Sequence, residues 1–154
     1  MFEKVLVCLD GSPLSEQILP HVIGEAQCCK SKLVLLHVVP EPFIATPGIP
    51  GVAGGPMKAP GGLEQLKKEQ DEAGVYLEKM AAGLREKGIA TETLVLEGDA
   101  GQAIIDYAHE NDIGLIAIAT HGRGGLGRVF FGSVADYVLK NSGLPVLLIR
   151  PKEA

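Results

Sequence analysis

No stretch of this chain is apolar for long enough to span a bilayer, and Met1 to Leu9 lacks the charged and apolar regions of a secretory leader. These absences make a cytoplasmic protein the expectation, with no membrane among its partners. Cysteine is scarce: Cys8, Cys28 and Cys29 are odd in number, and two of them are neighbours that rarely bridge in ordinary geometry. They read as reduced thiols, with Cys8 a small buried residue on an apolar strand and Cys28-Cys29 a pair near a helix end open to redox chemistry. Positive charge is scarce too: 14 Lys and Arg stand against 19 Asp and Glu, for a net charge of −5, and the basic residues are scattered rather than massed. Nucleic acid is therefore not an expected partner. His21, His37 and His109 share no metal-ligand spacing with one another or with the cysteines, so no metal site built wholly of protein ligands is expected.

The chain does hold enough apolar residues for one domain, 1–154. At 154 residues and 46% hydrophobic, it can bury roughly 70% of its extended surface. Phe2 to Leu9 reads as a first strand. Ser12 then caps a helix with Pro13 at its first position, and Pro20 predicts a kink or a later start. Lys32 to Val39 is a second strand. Pro40 to Gly62 follows, 23 residues of which twelve are proline or glycine, where no regular structure is expected. Such a tract is disordered, or serves as a flexible lid or partner-binding arm. Leu63, Leu66, Ala73, Leu77, Met80 and Leu84 mark the apolar face of a helix closed by Lys87-Gly88. Ala90 to Leu96 is the third strand. Asp99 with Gln102 forms a capping box before a helix carrying Ala103, Ile104, Tyr107 and Ala108 on one face. Leu115 to Ala119, a helix over Ser133 to Asn141 and a last strand over Val146 to Arg150 complete the chain. Strands alternating with helices imply an α/β fold: a doubly wound parallel sheet covered on both faces by right-handed crossovers.

The stretch that organises the rest runs from Ile113 to Asp136. Its strand ends at Thr120-His121-Gly122, and Gly122, Gly124, Gly125 and Gly127 then let the backbone turn and let a ligand approach closely. Ser133 with Asp136 fits a capping box. Backbone amides of such a loop, together with the helix start at Gly132-Ser133, suit an anion, and phosphate is the natural one. Gly122, Gly124 and Gly127 satisfy G-x-G-x-x-G, but in the last unit rather than the first. Arg128 to Gly132 separates them from the helix, and the place of the ribose-binding acid is Leu147. The G-x-x-x-x-G-K-[ST] loop is absent.

Gly122, nine residues and then Gly132-Ser133 instead resemble the G-x2-G-x9-G-[ST] motif of the ATP-binding universal stress protein family, with Ala119 where the motif has its first glycine. V-L-V-C-L-D-G-S at Val5 to Ser12, L-V-L-L-H-V at Leu33 to Val38, and P-V-L-L-I-R at the end extend the likeness along the chain. The resemblance implies strand order 3-2-1-4-5 in a five-stranded sheet, which brings Asp10 and Gly122 to the point where strand order reverses. It implies a regulatory or stress-response role and an adenine-nucleotide ligand, ATP, with Mg²⁺ near its phosphates. Cys8, Leu9 and Asp10 would line the site at the first strand, Asp10 serving ribose hydroxyls or the metal, and Val38 would offer backbone groups to adenine. Ala119, His121, Gly122, Arg123, Gly124 and Gly125 would surround the phosphates, Arg123 by direct contact, with Gly132, Ser133 and Val134 at the helix start. A homodimer through Val146 to Arg150 is implied as well.

Three other readings compete. A nucleotide-free dimeric interaction module of the same fold draws support from Ala119, whose methyl hinders one close approach. A hydrolase could use Asp10, His121 and Ser133, but the G-x-S-x-G elbow is missing. A phospho-receiver needs an acidic pair, an aspartate and a lysine where this chain has Leu9-Asp10, Glu97 and Arg150-Pro151, and that reading fails.

Overall fold

The computed structural model describes residues 2–41, 43–44, 57–58, 61–120 and 132–152. In chain order the elements are β1 (Lys4–Cys8), α1 (Pro13–Glu16), α2 (Leu19–Cys29), β2 (Lys32–Val39), β3 (Phe43–Ile44), β4 (Met57–Lys58), α3 (Gly62–Glu86), β5 (Thr91–Glu97), α4 (Ala100–Glu110), β6 (Leu115–Ala119), α5 (Ser133–Asn141) and β7 (Val146–Ile149). Five of the strands form a wholly parallel sheet in the order β5-β2-β1-β6-β7. Counting only those five along the chain, the order is the expected 3-2-1-4-5.

β1 sits between β2 and β6, with Val5 opposite both Leu33 and Leu115. Alternation along the strands sorts the apolar residues onto two faces. Val5, Val7 and Leu9 pack with Val22 and Ala26 of α2 and with Leu77, Ala81 and Leu84 of α3. Leu6 and Cys8 pack with Ile104 and Ala108 of α4 and with Ala135 and Val138 of α5. Helices thus cover both faces, as parallel strands require.

Pro20 does more than kink the first helix. The chain breaks at Gln17-Ile18 and restarts as α2 with the proline in its first turn, where its missing N–H leaves no intrahelical bond unmade. Ser12 caps α1, its Oγ accepting the Ser15 N–H at 3.2 Å. The side-chain amide of Gln17, freed at the break, donates to the Lys152 carbonyl at 2.9 Å and accepts the Lys152 N–H at 3.0 Å. The chain end is thereby fastened over α1, next to the buried Pro151.

Three expectations are corrected. The Pro40 to Gly62 tract is not wholly irregular: Phe43 and Ile44 pair antiparallel with Lys58 and Met57, because two-residue strands clear of proline suffice for a minimal ladder. Leu63 is 65% exposed, because the buried seam of α3 runs through Gly62 and Leu66 and passes Leu63 by one residue. The capping box at Asp99 is half a box. Asp99 accepts the Gln102 N–H at 2.9 Å, but the Gln102 side chain turns outward, donating to Asp106 at 2.7 Å and accepting from the Tyr137 hydroxyl at 2.8 Å. Met80 is half-buried against the core, as its place on the α3 stripe predicts.

Leu77 is fully buried between α3 and the sheet. Leu77→Ala is expected to lower the unfolding free energy by about 2–5 kcal/mol, and Asp99→Ala by about 1 kcal/mol through the lost cap. Urea denaturation checks both as a lowered midpoint at unchanged slope.

Candidate functional site

The chain winds outward from β1 to β2 and β5, then crosses back to β6, so the sheet's direction of growth reverses between β1 and β6. In doubly wound sheets ligands bind outside the carboxyl ends of the strands at such a point. A cavity of about 180 Å³ lies there, on the face covered by α4 and α5. Leu36, Ile104 and Ile118 give it an apolar lining, to which Asp10, Ser15 and Ser133 add polar groups. The volume falls below the roughly 300–1,000 Å³ of ordinary small-molecule pockets. Beside it the described chain leaves β6 at Thr120 and resumes at Gly132.

Cys8, Leu9, Asp10, Val38, Ala119, Gly132, Ser133 and Val134 all line this cavity. The structure therefore brings together the expected site residues of β1, β2, β6 and α5. His121, Gly122, Arg123, Gly124 and Gly125 lie outside the described residues, as does Arg128. The proposed trio of Asp10, His121 and Ser133 thus has only two members within them. Ser15, Leu36, Ala100, Ile104, Ile118 and Ala135 also line the cavity and were not foreseen. Leu36 and Ile118 are the register partners of Cys8, a signal that becomes readable only once strand pairing is known.

Asp10 closes β1 at an exposed position, and its Oδ1 accepts the Ser12 N–H at 2.9 Å. This is an Asx turn, and it holds the carboxylate beside the cavity. At α5 the expectation is corrected: Gly132 is the N-cap, Ser133 is the first helical residue, and no side chain caps this end. The helix therefore starts one residue sooner than a Ser133 cap would give. Asp136 does not reach back; it accepts from Lys140 at 2.8 Å. Among the described residues no side chain caps the first-turn amides of α5 at the cavity, the arrangement that favours an anion. Thr120 fixes the other end of the glycine-rich connection, its N–H donating to the Ile149 carbonyl at 2.9 Å and its hydroxyl reaching the same oxygen at 3.3 Å.

Two histidines have structural partners. His37 Nδ1 lies 2.9 Å from the Leu9 carbonyl and His109 Nε2 lies 2.8 Å from the Ser142 carbonyl, so each of these nitrogens carries the proton. Among the described residues no cluster of three or more His, Cys, Asp or Glu is arranged to hold a metal ion, and no helix is long and apolar enough to cross a membrane. Of the thiols, Cys28 is exposed and Cys29 half-buried. The Glu25 side chain raises the Cys29 thiol's pKa, which lowers its thiolate fraction.

Burial pushes the Cys8 thiol from 9.0 to about 12. The folded state therefore keeps a proton that the unfolded chain releases above pH 9.0. The resulting stabilisation is fully present below that pH and is lost as pH rises through about 12. Urea midpoints measured upward from about pH 9 should fall more steeply for the wild type than for Cys8→Ala, and equal slopes would contradict the assignment.

Comparison with known proteins shows the family and supports the fold. The sequence model of the Universal stress protein family matches residues 1–150. Universal stress protein YxiE of Bacillus subtilis is 30% identical over 151 residues, spanning 97% of this chain and 100% of that protein. Among solved structures, MJ0577 of Methanocaldococcus jannaschii superposes with a TM-score of 0.79 at 23% identity, covering 100% of this chain and 99% of its own. A universal stress protein family protein of Arabidopsis thaliana, solved with AMP bound, gives a TM-score of 0.64 at 15% identity, covering 97% and 92%. The chain belongs to the universal stress protein family.

Proposed function

We propose that the protein binds ATP in the cavity at the β1–β6 reversal and acts as a regulatory, stress-response nucleotide binder rather than a fast enzyme. The observation that carries this reading is convergence. An apolar slot, an acidic rim and a helix start without a side-chain cap meet at one place. Leu36, Ile104 and Ile118 suit the faces of adenine, with the backbone at Val38 to meet its edge. Asp10 suits ribose hydroxyls. The Gly132 and Ser133 end of α5, with Gly122 to Gly125 and Arg123, suits the phosphates and an accompanying Mg²⁺. The cavity holds a base more readily than a whole nucleotide, which is consistent with phosphates reaching toward the glycine-rich connection. AMP held by a family member of the same fold supports the ligand class. A bound nucleotide can act by shifting conformational or partner equilibria without turnover.

Protein purified without added nucleotide and then denatured is expected to release an adenine nucleotide. ATP at about 100 times its dissociation constant should add roughly 2.7 kcal/mol of stability. Gly122→Val should abolish that gain with the fold intact. Absence of any stabilisation by ATP, ADP or AMP would sink the reading and leave the nucleotide-free module, for which Ala119 at the cavity wall is the specific support.

The same proposal includes a homodimer through β7. Among the described residues this edge strand pairs with β6 alone, and all four of its apolar residues are half-buried. Sedimentation velocity is expected to give a two-chain species. A monomer at tens of micromolar would remove the pairing.

A further inference from the structure

A serine inside a helix usually faces water or bonds back to the preceding turn. Ser15 is only 3% exposed and lines the cavity. Its Oγ donates to the Ser12 carbonyl at 2.9 Å and accepts the Asp10 N–H at 3.3 Å. Its own N–H donates to Ser12 Oγ at 3.2 Å, and the Ser12 N–H donates to Asp10 Oδ1 at 2.9 Å. Asp10 is thus tied to α1 at two points, by its backbone through Ser15 and by its carboxylate through Ser12. Between these ties Gly11 takes a φ of +82°, a left-handed conformation that few other residues adopt without strain.

The remainder of α1 holds this turn weakly. The helix has four residues, is followed directly by the break at Gln17-Ile18, and is far too short to be stable by itself. If the site needed only packing volume, alanine would fill it without burying a hydroxyl. The hydroxyl is used for its two hydrogen bonds, and one of them reaches the residue proposed to meet the ligand.

We propose that Ser15 is a positioning residue: its buried hydroxyl sets the backbone of Asp10, and hence the direction of the carboxylate, for a ligand bearing hydroxyl donors. This rests on the nucleotide reading of the same cavity.

ATP affinity measured by titration calorimetry on the wild type, Ser15→Ala, Asp10→Ala and the double variant tests it. Ser15→Ala is expected to weaken ATP about tenfold, within the range for coupled neighbours, and to add no further loss once Asp10 is alanine. Ser15→Thr, which keeps the oxygen, should restore affinity toward wild type wherever its melting temperature shows it folded. An equal fold-loss in both backgrounds would mean that Ser15 acts independently of Asp10, and unchanged affinity in folded Ser15→Ala would mean that it does not act at all. Either result overturns the inference and leaves the nucleotide site standing. Failure of the wild type to bind ATP overturns the site itself, and the inference with it.

Discussion

The parallel pairing of β1 with β2 on one side and β6 on the other is the constraint on which the rest depends. Val5, Leu6 and Val7 are completely buried, so both faces of this strand need cover and neither edge is open. Parallel neighbours cannot be joined by tight turns, so every connection must cross a face, and the helices follow from that requirement. Because the chain leaves β1 toward β2 first and returns only later to β6, the two crossovers diverge above the carboxyl end of β1. The cavity is the gap they leave, and it is a consequence of topology before it is a property of any side chain.

What surrounds the gap is held by short-range hydrogen bonds rather than by the core. Pro20 forbids one continuous helix after β1, and the resulting break supplies both a one-turn helix and a freed Gln17. Gln17 then grips Lys152, while Thr120 grips the carbonyl of Ile149. Gln17 and Thr120 therefore both fasten the end of β7 and the residues just after it at the same carboxyl edge, Thr120 one residue before the glycine-rich connection begins. A proline that costs helix in one place permits a fixture in another.

Much of this was readable from residue pattern because burial is a strong signal in parallel strands. The bounds of β6 follow directly from an unbroken apolar run and those of β2 from a run interrupted only by His37, and the sorting of Asp10, Val38 and Ser133 to one edge follows from element ends alone. Two of the misreadings share a cause: each concerned a choice between hydrogen-bond partners of similar worth. Ser133 is a good cap by type, yet Gly132 takes the position. Gln102 is a good capping-box residue, yet Asp106 and Tyr137 engage it in preference to the Asp99 backbone. Leu63 failed differently, since periodicity fixes a stripe only to within a residue and the seam chose Gly62. Ser15 and Ala100 were invisible as pocket residues because their place depends on how α1 and α4 lean over the sheet, which no local pattern encodes.

The lean of α4 against α5 has an identifiable cause of its own. Gly101 lies in the first turn of α4, and a Cβ there would come within 2.6 Å of the Tyr137 ring. The ring can pack this close to the first turn of α4 only because Gly101 has no side chain. In that position the Tyr137 hydroxyl meets Gln102 at 2.8 Å, closing the contact. Ala100 and Ser133, the neighbouring first-turn residues of the two helices, both face the cavity. The separation of the two helix starts is therefore set by an absent methyl group and a tyrosine, on the outer side of the cavity and away from its lining. One of those starts is capped by Asp99 and the other by no side chain, so the close approach places a neutralised helix end beside an open one. In the proposed reading the phosphates meet the α5 start, the one that follows the glycine-rich connection.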